Sequence, residues 1–167
     1  MPIITADFSA RLSGGASNSD GNAALGGVKS SNAMSGSIDG LFDAVTAAQA
    51  VAGLTEYRCI YLHNANGADT MTAARVWLSA NTPLVGTTID IGVGSSAINA
   101  TEQTTATEIA APTSVSFSAP STAATGLALG NIPAGQHRAV WLRRTITAGA
   151  GSSANDTFAI DFDCETA

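Results

Sequence analysis

The stretch that most constrains the fold is Leu127-Ala-Leu-Gly-Asn-Ile-Pro-Ala-Gly-Gln-His-Arg-Ala-Val-Trp-Leu-Arg-Arg-Thr-Ile146. Val140, Leu142 and Ile146 alternate with Ala139, Trp141 and Thr145, the period of a pleated strand. Before them, Asn131-Ile-Pro-Ala-Gly135 can continue neither a strand nor a helix. Pro133 lacks a backbone donor, and Gly135 accepts positive φ without steric cost. The stretch is therefore expected to form a β-hairpin onto which other strands pack.

Other segments repeat the alternation. Ile3 to Leu12 places Ile4, Ala6, Phe8 and Ala10 on one face. From Glu56 to Asn64, Tyr57, Cys59, Tyr61 and His63 share one face and Arg58, Ile60, Leu62 and Asn64 the other. Both faces are largely apolar, which predicts a central strand, with Thr72 to Ala80 as its partner. Thr88 to Val93, a short piece at Val115 and Phe117, and Asp156 to Cys164 complete about eight strands. In the last, Phe158, Ile160, Phe162 and Cys164 are expected inward, with Asp161 and Asp163 outward. Short strands at turn-punctuated spacing predict an all-β, antiparallel two-sheet sandwich of jelly-roll type.

One short helix is expected. Thr46-Ala-Ala-Gln49 has the capping-box spacing, so 47–52 should be helical and stop at Gly53. A longer helix over 39–52 is the alternative, because Leu41, Val45, Ala48 and Ala52 share a helical face. Residues 13–37 are Ser/Gly/Asn-rich, with Leu25, Val28 and Met34 as their apolar anchors. This predicts a long loop or contact arm following the first strand (1–37), ahead of the sandwich proper (38–167), within one domain. Residues 94–112 are polar and Thr-rich and are expected to be a surface excursion.

Composition excludes several partners. The net charge is −6, with seven basic residues of which six are Arg, so nucleic acid is not an expected partner. Arg143-Arg144 is the one basic pair, and neighbours on a strand point to opposite faces. No run approaches a membrane span and no signal segment stands at the start, which predicts synthesis and folding in a cytosol. Charged residues make up 12% of the chain, about half the usual share. Ala, Ser, Thr and Gly fill the gap. They lose little side-chain entropy when ordered, so such a surface suits close packing against other chains.

No motif carries catalytic chemistry, and no cofactor is expected. Asp161 and Asp163 share a strand face, but the pattern places that face in solvent. Asn64-x-Asn66-Gly67-x-Asp69 and Asn18-x-Asp20-Gly21-Asn22 offer oxygen ligands around a Gly turn, as a calcium loop does. Neither has the closing bidentate Glu, and Asn/Asp/Gly is also ordinary turn chemistry. His63, His137, Ser95-Ser96 and Ser152-Ser153 lie outside any nucleophile motif. Trp77, Trp141, Tyr57 and Tyr61 either line the core or form a sugar-binding face. Cys59 and Cys164 are expected as two small buried hydrophobes. Their pairing is the lesser alternative in a reducing compartment.

Two segments carry a family resemblance: Thr55-Glu-Tyr-Arg-Cys-Ile-Tyr-Leu-His-Asn64, preceded by Leu41-Phe42-Asp43, and Ile132-Pro-Ala-Gly-Gln-His-Arg-Ala-Val-Trp-Leu-Arg-Arg144. They resemble virion structural proteins of tailed bacteriophages, in particular the jelly-roll proteins that decorate, or cement, the capsid surface. The resemblance implies a non-enzymatic protein made in the bacterial cytoplasm. It would bind the major capsid protein on the outside of the shell and self-associate as a dimer or trimer. Tail components share such sandwiches, and a carbohydrate- or receptor-binding module is the reading from another class. On the capsid reading, Leu25, Val28 and Met34 are the expected contact residues.

Overall fold

The computed structural model describes residues 2–34, 40–151 and 156–165. Nine strands lie among them: β1 (Phe8–Leu12), β2 (Gly26–Gly27), β3 (Leu54–Asn64), β4 (Met71–Ala80), β5 (Thr87–Val93), β6 (Glu102–Thr104), β7 (Leu127–Ile132), β8 (His137–Ile146) and β9 (Ala159–Glu165). One sheet has the order β1-β3-β8-β5, a second β7-β4-β9, and β2 pairs with β6; all these pairings are antiparallel. The all-β sandwich expected from the alternation is therefore present.

The stretch 127–146 is strand, turn, strand as expected, but it is not a hairpin. Both edges of β8 are occupied, by β3 from Leu54↔Ile146 to His63↔His137 and by β5 from Thr87↔Ile146 to Val93↔Val140. With no edge left on β8, β7 pairs with β4 in the opposite sheet. The turn 133–136 closes with Gln136 N–H donating to the Pro133 carbonyl, and Gly135 has φ +73°. Likewise β4 is not the ladder partner of β3; the loop after Asn64 carries the chain across to the second sheet. These two crossings lie side by side, with β3 next to β8 in one sheet and β4 next to β7 in the other. Two paired strands wrapped together across a sandwich give the jelly-roll connection.

The main core lies between the sheets. Ile60, Leu62, Val140, Leu142, Ile89 and Ile91 from one sheet meet Met71, Val76, Leu78, Leu129 and Ile132 from the other. A second, smaller core explains why both faces of β3 are apolar. Cys59, Tyr61, Ala139 and Trp141 are buried on the outer face, with Tyr57, Val115 and Phe117 packed against them. The cover is made by residues 13–34 and 94–118, which meet in the β2–β6 pair. Gly26 has φ +88° and no room for a Cβ against the Gln103 carbonyl, and a ring carbon of Trp141 lies 3.1 Å from the Cβ position. Beyond β1, the edge of β3 is completed by this layer: Tyr57 N–H donates to the Glu108 carbonyl and Cys59 N–H to the Ala24 carbonyl, each at 2.7 Å.

Several expectations shift in detail. The first strand begins at Phe8, preceded by a 3-10 turn over Thr5–Asp7. Val115 and Phe117 form no strand; only a single bridge, Ile91↔Ser118, marks that segment. The short helix α1 spans Ala47–Ala52, and the capping box holds, with Gln49 N–H donating to Thr46 Oγ1 and Thr46 N–H to Gln49 Oε1. The longer alternative does not form: residues 41–46 are not helical, and Asp39 lies outside the described residues. Both cysteines are free, Cys59 buried and Cys164 half-buried. No helix among the described residues is long and apolar enough to cross a membrane.

Candidate docking edge and a buried charge cluster

Residues 13–34 form the expected loop, laid against the four-stranded sheet rather than projecting from it. Ser13 and Ser30 are buried, and Ser13 Oγ donates to the Cys59 carbonyl at 2.7 Å. Ser30 Oγ donates to the Asn18 carbonyl at 2.6 Å. The three expected contact residues separate. Met34 packs on the main core, Leu25 is half-buried, and Val28 is 48% exposed. They do not form one surface stripe. Ser35 to Ser37 lie outside the described residues.

The two calcium-like loops use their side chains as turn locks. Asn64 Oδ1 accepts from Asn66 N–H, and Asn66 Oδ1 accepts from the N–H groups of Ala68 and Asp69. Asn18 Oδ1 accepts from Asp20 N–H, and Asp20 Oδ1 from Asn22 N–H. Asn22 Oδ1 accepts from Arg58. These are Asx turns, in which the side chain takes the place of a backbone carbonyl.

Sequence reading missed a buried charge cluster at the end of the sandwich remote from Asn64. Glu56 and Arg58 on β3 and Arg144 on β8 point into the main core and are essentially fully buried. Asp43 and Glu108 approach from loops. Arg58 Nη2 lies 2.7 Å from Glu108, 3.7 Å from Asp43 and 3.8 Å from Glu56, so a guanidinium is the cationic centre of the three carboxylates. Arg144 pairs with Glu56 through Nε and Nη2 and donates to the Asp43 carbonyl at 2.8 Å. Both guanidinium groups lie over the Phe42 ring, 5.3 Å (Arg58) and 4.8 Å (Arg144) from its centroid. Burial pushes the Glu56 carboxyl above its ordinary range, against the pull of Arg144 and Arg58. The signal was in the sequence: 56 and 58 share the phase of Ile60 and Leu62, and 144 that of Val140 and Leu142. Arg143 points the other way, as the parity of a strand requires, and pairs with Asp90 at 2.8 Å over the Phe117 ring.

Ser95 and Ser96 also have a structural task. Their N–H and hydroxyl groups all donate to the buried Glu102 carboxylate, at 2.7 to 3.2 Å. Burial raises this carboxyl, but the bonds from Ser96, Ser95 and Gln103 outweigh it and hold it below its ordinary value. Glu102 N–H donates to the Tyr61 hydroxyl at 2.9 Å, and that hydroxyl donates to the Gly27 carbonyl. Tyr61 and Trp141 are therefore core residues; Trp77 and Tyr57 keep partial exposure. His137 stacks edge-on against Tyr61 at 4.8 Å, and His63 Nδ1 lies 3.2 Å from the Gln136 carbonyl. Ser152 and Ser153 lie outside the described residues.

The remaining feature is an open side of the sandwich. β1 ends the four-stranded sheet and β9 the three-stranded one, and the gap between them is a groove of about 580 Å³. Its apolar lining includes Ile3, Phe8, Ala10, Ile160, Phe162 and Cys164, all packed at the rim of the main core. Asp161 and Asp163 also border it and are exposed, as expected for them. Comparison with protein-family models, with curated proteins and with solved structures gives no match.

Proposed function

We propose that this chain is a non-enzymatic structural protein that acts by docking onto other subunits, as a decoration protein on the outside of a bacteriophage capsid. The observation that carries docking is the open side between β1 and β9. There a partly apolar groove and a strand edge lie at the surface, whereas the outer face of the four-stranded sheet around Tyr61 and Trp141 is covered by the chain's own loops. Unpaired strand edges and exposed apolar grooves are the features through which β proteins engage other chains. The capsid is supported by the resemblance of 55–64 and 132–144 to phage decoration proteins, and by the low-charge surface.

The internal chemistry fits this reading. The buried ionic groups Glu56, Arg58, Arg144 and Glu102 are engaged within the fold, cross-linking strands to loops. A decoration protein stabilises a shell by binding the assembled particle and not its dissociated subunits, so mass action favours the intact state. Rigid internal cross-links suit that task.

The test is the copy number of the chain in purified phage particles, measured against the major capsid protein by quantitative mass spectrometry. A fixed icosahedral proportion is expected. A few copies per particle would move the chain to the tail, and absence from particles would overturn the virion reading.

A further inference from the structure

The edge of β9 has features that specify what docks there. β4 takes one side of β9, with Val76↔Phe162, Trp77↔Asp161 and Leu78↔Ile160 in register. Both irregularities in this pairing place the extra residue on β4: 72 to 75 spans 165 to 163, and 78 to 80 spans 160 to 159. β9 itself is left regular. Among the described residues its other edge makes no backbone hydrogen bond to a neighbouring segment. Cys164 N–H instead donates to the carboxylate of Asp163, its own neighbour, at 2.8 Å. An edge amide with no strand opposite takes the nearest acceptor in this way. By the period of two, the amides of Phe162 and Ile160 point in the same direction. The edge of β1 differs, because residues 30–34 already cover it: Met34 N–H donates to the Ala10 carbonyl and Ser30 N–H to the Leu12 carbonyl.

Side chains along β9 divide into two rows. Ile160, Phe162 and Cys164 turn towards the main core at the floor of the groove, and the exposed Asp161, Asp163 and Glu165 alternate with them, Asp161 and Asp163 also bordering the groove. The facing positions on β4 add one positive charge, Arg75, opposite Asp163. A strand laid against β9 would present alternate residues to these two rows. We propose that β9 receives an extended segment of a partner subunit by strand addition, and that this segment alternates apolar residues with Lys or Arg. The apolar residues fill the groove between β1 and β9, and the basic ones lie beside Asp161 and Asp163. Backbone hydrogen bonds supply affinity in this mode and the alternating side chains supply selectivity. A second copy pairing through its own β9 is disfavoured, because it would bring two rows of carboxylates together, and like charges across a strand pair destabilise it. This inference rests on the reading of the chain as a docking protein and names the chemistry of what it docks.

The experiment uses the full chain, isotopically labelled, and a synthetic peptide of alternating Lys and Val. A Glu/Val peptide and a Lys/Val peptide with Pro replacing its central Val serve as comparisons. The Lys/Val peptide should bind, shift the Ile160, Phe162 and Cys164 amide resonances and slow their hydrogen exchange. The other two should bind at least about tenfold more weakly. The double variant D161K/D163K should reverse the preference towards the Glu/Val peptide. Equal affinity for both charge types would overturn the proposal. So would binding without protection of the β9 amides, or a concentration-dependent dimer that protects them without peptide. Particle copy number separates this from the functional reading: unchanged incorporation of D161K/D163K into particles would sink the strand-addition proposal and leave decoration standing. Peptide binding as described, by a chain absent from particles, would do the reverse.

Discussion

The side-chain amide of Asn64 donates to the carbonyl of Ile132 at 2.8 Å, and this bond ties together the two crossings between the sheets. The same amide donates to the Asp69 carbonyl at 2.9 Å, Asn64 N–H donates to the Gln136 carbonyl, and Gly135 N–H donates to the Asn64 carbonyl. One fully buried residue thus secures the 64–69 loop and the 133–136 turn. Replacing Asn64 with Ala would remove three hydrogen bonds of its side chain, to the Ile132 and Asp69 carbonyls and from Asn66 N–H, at about 0.5–1.5 kcal/mol each. A drop in the denaturation midpoint with unchanged slope is expected. Asn64→Asp should not rescue it, because a carboxylate cannot donate to Ile132.

Breaking the Glu56–Arg144 pair should be more damaging than removing both partners. Arg144→Met leaves a buried carboxylate facing Arg58 alone and is expected to lose about 3–5 kcal/mol. The double variant Glu56→Leu/Arg144→Met should recover much of that loss, and a double-mutant cycle by denaturant unfolding measures the difference. The sign with pH is specific. A carboxyl raised above its ordinary value of 4.5 in the folded state favours the protonated form there, so its cost enters as pH rises above 4.5. Arg144→Met removes a group that lowers Glu56, so the variant should lie closest to wild type at acid pH and furthest from it at alkaline pH.

The outer layer should respond to pH in the opposite sense. His63 and His137 are both held below their ordinary value of 6.5, first by burial and then by the charge of Lys29. A depressed histidine is favoured neutral in the fold, so stability falls as pH drops below 6.5 towards the folded value. Glu102 is also depressed, and its contribution, present above 4.5, is lost as pH falls through its folded value. Unfolding free energies across acid pH should show both losses. His137→Phe should remove part of the first, and Glu102→Gln should remove the second while lowering stability at neutral pH.

Val28 and Met34 should separate surface effects from core effects. Val28→Ser alters an exposed side chain and should change stability by no more than about 0.5 kcal/mol. Met34→Ser withdraws a side chain from the main core rim and should lower the thermal midpoint. If residues 13–34 touch the capsid, Val28→Ser weakens particle binding with its midpoint unchanged. Equal binding by Val28→Ser and wild type would remove this loop from the contact surface.

Strand periodicity made much of this molecule readable from the chain alone. Alternation placed Ile160, Phe162 and Cys164 inward and Asp161 and Asp163 outward, and the Thr46/Gln49 spacing placed α1, because these depend on neighbours a few residues away. The pairing of strands was not readable in this way. Backbone donors and acceptors are the same at every residue but proline, so nothing local told β8 to take β3 and β5 on its two edges and send β7 to the opposite sheet. The charge cluster had the same character. Glu56, Arg58 and Arg144 stood in the core phase of their strands, but a buried charge is tolerable only beside its partner. Those partners lie far away in sequence, at Asp43 and Glu108 and in each other. The open edge of β9 depended on the tertiary structure for the same reason: an edge is a strand that nothing else in the fold has reached.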